Sequence, residues 1–243
     1  CNMSEVLVGY DAQRFILDSE GKICAVIIDR DVQATNIRVI LNTSGFDGLY
    51  HDSLKVVSKE GLRISCGNET FEVPADKEYT ITPDSDLAKA GRVKIVSKGV
   101  DGKIGISTIK RGYGVPYYRG TIEVTLRDGK LMIINELPLE EYLYSVVPSE
   151  MPWNYNYEAL KAQAICARSF AYIAGFGSAT NIVTPYNMCD TTSSQVYKGY
   201  GAERKTTNEA VDATKGKIIY YEGKPARAYY SSTSGGSTEN VED

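Results

Sequence analysis

The stretch VVPSEMPWNYNYEALKAQAICARSFAYI, residues 146–173, sets one acid, Glu150, between Pro148 and Pro152. It lies where a helix-like stretch meets a long alanine-rich one. Proline fixes its own φ and restricts the residue before it. The direction of the Glu150 side chain is therefore limited before any tertiary contact forms. A carboxyl group held in this way suits general acid or base work. The apolar helix that follows would give it a floor, and Arg168, if it reaches the same cleft, would hold an anionic or sugar-acid group. The same position also suits a helix cap or a structural ion pair, and spacing alone does not separate these readings.

Other chemistries find less support. The one histidine, His51, lies beside a turn in the β-rich first half and reads as a solvated loop residue. A Ser/His/Asp or Cys/His system would have to use it, with no motif around it. The five cysteines are dispersed without a CxxC, and no cluster of His and carboxylates suggests a hydrolytic metal. STSGGST lacks the spacing of a phosphate-binding loop. Neither a metal nor another cofactor is expected.

Of 243 residues, 42% are hydrophobic and 24% charged, an ordinary globular balance. The net charge of −4 argues against a nucleic-acid partner. Eighteen tyrosines against one tryptophan and five phenylalanines suit half-buried strands first and sugar-binding clefts second. No apolar run approaches the roughly 20 residues of a membrane span, and no signal-peptide pattern occurs. A membrane anchor elsewhere in a longer protein is compatible with this.

The elements that must position Glu150 follow from periodicity. Alternation predicts strands over residues 22–29, 36–42, 54–58 and 93–97. LKVVSKEGLRI and VKIVSKGVDGKIGI resemble each other and read as two similar hairpins. Residues 117–135 read as a hairpin turning at Asp128-Gly129. In LPLEEYLYSVV the apolar residues Leu139, Tyr142, Leu143, Val146 and Val147 form a helical stripe. Pro138 suits its first position, Glu140 and Glu141 suit its positive end, and Pro148 is expected to stop it. The second helix, about 157–174, is rich in small residues and reads as buried. Its polar members, among them Gln163, Arg168 and Ser169, then need partners. Glu158 and Lys161 read as a surface pair, and Lys161 and Arg168 share a face. A last hairpin turns at Glu222-Gly223. The expected fold is α+β, strand-rich, with helices at about 138–147 and 157–174 around the cleft. Two regions are expected: β-rich residues 1–112, as cleft wall or docking surface, and a catalytic core over 113–243 that extends to the C-terminus or is cut short there.

NELPLEEYLYSVVPSEMP, EALKAQAICARSFA, CDTTSSQVYKG and YYSSTSGGSTEN, taken together, resemble the stage II sporulation protein D family, which includes amidase enhancers of the bacterial cell wall. The resemblance covers about 117–243, in order, and more weakly the strands from Asn36. It implies an extracytoplasmic, cell-envelope protein acting on peptidoglycan glycan strands as a lytic transglycosylase. The bond cut joins MurNAc to GlcNAc and leaves 1,6-anhydro-MurNAc ends. Glu150 would be the catalytic acid and base. Lys161, Arg168, Tyr197, Ser234, Gly235 and Gly236 would bind substrate. The alternative implied by the amidase enhancers is a non-catalytic wall-binding module that stimulates an N-acetylmuramoyl-L-alanine amidase as its partner. A second acid, Asp190 or Glu239, would allow hydrolysis instead. Sporulation members commonly read CDTTHCQVY, with a His and a Cys resembling a metal site. Here Ser193 and Ser194 stand in their place, so no zinc is expected.

Overall fold

The structure, a computed structural model, describes residues 13–28, 36–176, 184–233 and 235–236. The strands begin with β1 (Gln13–Leu17), β2 (Ile23–Ile28), β3 (Asn36–Ile40), β4 (Tyr50–His51), β5 (Leu54–Val57) and β6 (Leu62–Cys66). They continue with β7 (Glu69–Val73), β8 (Tyr79–Ile81), β9 (Val93–Ser97), β10 (Ile104–Ile106), β11 (Tyr117–Tyr118) and β12 (Thr121–Arg127). The last are β13 (Lys130–Pro138), β14 (Met188–Cys189), β15 (Tyr220–Tyr221) and β16 (Lys224–Pro225). The α-helices are α1 (Asp86–Ala90), α2 (Leu139–Glu150), α3 (Tyr157–Phe176) and α4 (Lys205–Ala213). The fold is a strand-rich α+β arrangement.

One sheet runs in the order β14–β3–β13–β12–β9–β6–β7, with β4 also on β13. A second sheet runs β11–β10–β5–β8. The β12–β13 hairpin forms at Asp128 and Gly129, both at positive φ, and β15–β16 turns in the same way at Glu222 and Gly223. The two similar segments do not form the expected hairpins. β5 pairs with β10 and β6 with β9, so each copy sends one strand to each sheet and the copies pair with each other. The serines of the two SK turns, Ser58 and Ser97, share a hydrogen bond of 2.9 Å. Gly61 sits at φ +79°, where an added Cβ would lie 2.7 Å from the Val73 carbonyl.

The expected boundary at 112/113 runs through the larger sheet. β3, β6, β7 and β9 lie before it and β12, β13 and β14 after it, all hydrogen-bonded in one sheet. Both regions also contribute to one apolar core, with Val39, Ile64 and Ile95 packed in the same cluster as Ile133, Val146 and Ala167. Strand β13 is buried on both faces. Leu131, Ile133 and Leu137 belong to the main core, while Met132 and Ile134 join Ile40 beneath Tyr186 on the other face. That second face also holds Arg38, which donates to Glu123 at 2.8 Å and to the Pro185 carbonyl at 2.7 Å, and pairs with Glu136. Among the described residues, no helix is long and apolar enough to cross a membrane.

Helix α2 departs from expectation at both ends. Pro138 is its N-cap and also the last residue of β13, so strand passes into helix with no loop. Pro148 lies within the helix instead of stopping it. Its missing N–H costs only the bond to the Tyr144 carbonyl. The Ser149 hydroxyl donates to the Ser145 carbonyl at 2.7 Å, and the Met151 N–H donates to Val147 at 3.0 Å. The last turn therefore survives, and Glu150 is its final residue.

His51 is not a solvated loop residue. It is 4% exposed, on β4, with Nε2 2.8 Å from the Leu41 carbonyl. Burial, and less strongly the Arg111 guanidinium, push its imidazole below its ordinary range against the pull of that carbonyl. The unfolded chain then takes up a proton below about pH 6.5 that the folded chain resists, so stability falls as pH drops through that value. Thermal unfolding between pH 7.5 and 5 is expected to show the wild-type Tm falling more steeply than that of His51→Gln. Parallel curves would contradict this.

Candidate active site

Glu150 is half-buried at the end of α2, and its Oε1 accepts the Val196 N–H at 2.6 Å. The strand-like segment that supplies this amide is tied down on both sides. Before it, Gln195 is 1% exposed; it accepts the Tyr142 hydroxyl at 3.1 Å and donates to the Ala167 carbonyl at 3.2 Å and to the Tyr230 hydroxyl at 3.0 Å. After it, the Lys198 N–H donates to Ser145 Oγ at 3.2 Å. The segment is thus laced to α2 and α3 and holds one oxygen of Glu150 in place. Burial first, and then the charge of Glu150, push the Tyr230 phenol above its ordinary range. Burial does the same for Tyr142, with Tyr230, Tyr197 and Glu150 adding to it. The loop after Glu150 exposes Trp153 and Tyr155, two flat rings suited to stacking.

The neighbouring acids are committed elsewhere. Glu136 pairs with Arg38, Glu158 with Lys161, Asp190 with Arg111, and Glu209 with Lys205. Glu203 takes Arg119 with two bonds, 2.7 and 2.9 Å. Glu150 has no cation within ion-pair reach among the described residues. Asp190, expected as a second acid, is wholly buried and bound to Arg111 at 2.6 Å and to the Asn42 amide at 2.6 Å. It braces the loop that begins at Cys189, and Glu239 lies outside the described residues.

Several expected binding residues have other work. Arg168 is 1% exposed and does not reach a cleft. Its Nε and Nη2 grip both oxygens of Glu140 at 2.9 and 2.8 Å, and its remaining donors reach the carbonyls of Val211 and Lys217, each at 3.1 Å. Burial of the alanine-rich helix demanded a partner for this guanidinium, and the first turn of α2 supplies it. Tyr197 is also interior: it is 1% exposed, donates its hydroxyl to Asn135 at 2.7 Å, and packs its ring 5.1 Å from that of Tyr142. Lys161 is partly accessible but bonds both oxygens of Glu158, at 3.0 and 2.9 Å. Gly235 and Gly236 are exposed, the latter at φ +96°, and have no described contact with Glu150. Ser234 lies outside the described residues. Ser193 and Ser194 tie their own loop, the latter accepting the Cys189 N–H at 3.1 Å.

The residues that hold Glu150 were not among the candidates. Gln195 stands inside CDTTSSQVYKG, beside the selected Tyr197, and Tyr230 stands inside YYSSTSGG. A buried glutamine between two polar serines and an apolar pair was the available signal. The partner of Tyr142 could not be read from its helical stripe.

This geometry accompanies a clear match to known proteins. The family model for stage II sporulation protein matches residues 127–221, from the end of β12 to the end of β15. Over this stretch the chain is similar to the stage II sporulation protein family. Stage II sporulation protein D of Bacillus subtilis is 40% identical over 121 residues, 45% of this chain and 35% of that protein. The amidase enhancer of the same organism is 43% identical over 97 residues, 40% of this chain and 12% of its own. An uncharacterized protein of Brachyspira hyodysenteriae is 35% identical over 130 residues, 54% of this chain and 34% of that one. The chain thus spans about a third or less of the length of these relatives. Within the matched stretch, residues 127–221, lie Glu150, the Val196 amide and the whole Arg168–Glu140 pair.

Removing one partner of a buried ion pair leaves the other unpaired and costs about 3–5 kcal/mol. Arg168→Met is therefore expected to lower unfolding free energy by that amount in urea. Glu150→Gln, which keeps an acceptor for the Val196 amide, is expected to change it by less than about 1 kcal/mol. Equal losses from both would contradict the division between a structural cation and a poised acid.

Proposed function

We propose that the protein is an extracytoplasmic lytic transglycosylase acting on peptidoglycan glycan strands through Glu150. The observation that carries this reading is the state of that carboxyl group. It is half-buried, fixed by one backbone amide, free of cations among the described residues, and followed by the exposed rings of Trp153 and Tyr155.

Glycosidases ordinarily use two carboxyl groups about 5 to 9.5 Å apart. Asp190 is sealed in its pair with Arg111. Glu141, which forms no ion pair among the described residues, sits nine residues back along α2, about 14 Å of helix rise. A single acid suffices if the sugar supplies its own nucleophile. Glu150 in its protonated form gives its proton to the bridging oxygen as the bond from C1 breaks. The 6-hydroxyl of the same MurNAc then attacks C1 and returns its proton to Glu150. One C–O bond is lost and one is made, water is not consumed, and the product ends in a 1,6-anhydro ring. Holding only one carboxylate oxygen leaves the other to face both transfers.

Purified glycan strands incubated with the wild-type protein are expected to yield anhydro-muropeptides by mass spectrometry. A general acid contributes about 10²- to 10⁴-fold, so Glu150→Gln is expected to drop product by that factor while its circular dichroism is unchanged. Equal product from both proteins would remove Glu150 from the role.

A second reading is favoured by the match over 97 residues to an amidase enhancer. In it the same core binds the wall and stimulates a cell-wall amidase without cutting glycan. Co-sedimentation with sacculi and stimulation of an amidase, with no anhydro product, would decide for that reading.

A further inference from the structure

Loss of Arg168 to the interior leaves the proposed cleft without its expected anion-binding group. A different guanidinium stands beside the acid's network. Tyr230, whose hydroxyl bonds Gln195, is preceded by Tyr229, and two residues before that lies Arg227. The Tyr229 ring meets Phe170 edge-on, centroids 5.7 Å apart at 69°. Arg227 stands over both, its Cζ 5.8 Å from the Phe170 ring and 6.0 Å from that of Tyr229. Its Nη1 donates to the Tyr229 hydroxyl at 3.3 Å. Nε and Nη2 have no protein acceptor among the described residues, and both Arg227 and Tyr229 are exposed.

Helix α3 locates this cluster relative to Glu150. Gln195 meets the helix at the Ala167 carbonyl and holds the Tyr230 hydroxyl beside it, next to Cys166. Phe170 lies four residues on from Cys166, about 6 Å along the axis. Tyr229 and Arg227 therefore sit one step beyond the group that holds Glu150. A guanidinium held beside aromatic rings on an exposed residue, with Nε and Nη2 unbonded among the described residues, matches the planar two-oxygen geometry of a carboxylate. The exposed face of Tyr229 offers a flat surface to a pyranose.

We propose that Arg227, Tyr229 and Phe170 form a subsite for a sugar bearing a free carboxylate, adjacent to the Glu150 site. This rests on the glycan reading above, and it assigns the acid-recognising role to Arg227 and not to Arg168. Tyr229 supports the ring, Phe170 keeps the guanidinium flat, and Arg227 binds the carboxylate.

The test measures binding in the Glu150→Gln background, where turnover does not interfere. Isothermal titration compares a GlcNAc–MurNAc oligosaccharide with free lactyl carboxylates against an uncharged chitooligosaccharide of equal length. The parent is expected to bind the charged sugar about tenfold more tightly. Arg227→Gln is expected to erase that preference and leave the chitooligosaccharide affinity unchanged, and Arg227→Lys to restore only part of it. Equal affinities in the parent, binding of neither sugar, or a preference that survives Arg227→Gln would each overturn the subsite. Release of anhydro product by wild-type protein is read separately, so the subsite can fail while the reaction stands.

Discussion

The buried pair between Arg168 and Glu140 is the constraint on which the arrangement of the helices depends. One guanidinium joins the first turn of α2 to the middle of α3, and it also caps the end of α4 through the Val211 carbonyl and the Thr214 hydroxyl. The Gly216 N–H adds a bond to Glu140 at 3.2 Å. Glu140 sits at the positive end of α2 and Arg168 meets the negative end of α4, so both helix dipoles favour the charges placed on them. A guanidinium with every donor directed at a specific acceptor fixes orientation as well as distance. With α2 fixed at its start, and running straight from β13 without a loop, its last residue is delivered to one place.

The sheets provide the rigidity behind this. β13 is bonded to β12 from Lys130 to Glu136 and to β3 from Ile134 to Pro138, and its middle is covered on both faces, so α2 starts from a strand that is itself firmly held. The doubled strand–SK–Gly–strand segments reinforce the far side. Because each copy spans two sheets, neither sheet can shift without disturbing the Ser58–Ser97 bond and the pairing of Gly61 with Lys98. The β-rich first part of the chain is therefore part of the same framework as residues 127–221, the stretch that matches the family model.

Local signals were legible in the sequence and non-local ones were not. The hairpins at Asp128-Gly129 and Glu222-Gly223 are encoded by residues that tolerate positive φ, and the apolar stripe of α2 is set by a period of 3.6; both forms follow from neighbours in the chain. The fate of the repeated segments was misread because a hairpin and a crossover share the same strand and turn residues, and only burial of both apolar faces selects the crossover. Pro148 was misread because a proline near the last turn removes one hydrogen bond, which the Ser149 hydroxyl and the Met151 amide offset. Arg168 and Tyr197 were legible as important and illegible as to role. A cation in a buried helix must have a partner, but whether that partner is a ligand or Glu140, 28 residues away, depends on helix packing. Glu150 itself was legible because two prolines mark it.

The way Glu150 is held suits the chemistry proposed for it. An arginine beside the carboxylate would fix both oxygens, but it would also favour the charged form and oppose donation of a proton. An amide from Val196 fixes one oxygen without a formal charge, and the second oxygen makes no bond among the described residues. The amide is rigid because Gln195 spans three partners behind it, and Gln195 can do this because an amide side chain both accepts from Tyr142 and donates to Ala167 and Tyr230. A carboxylate in that place would accept from tyrosines but could not donate to the Ala167 carbonyl, and an apolar residue would take this partner from the buried Tyr142 phenol and the partly buried Tyr230 phenol. The cations of the region are instead held at a distance: Arg168 with Glu140, Lys161 with Glu158, and Arg227 over the rings of Tyr229 and Phe170. On the proposed reading, positive charge one step from the acid would attract an anionic sugar without forming an ion pair with the carboxyl group itself.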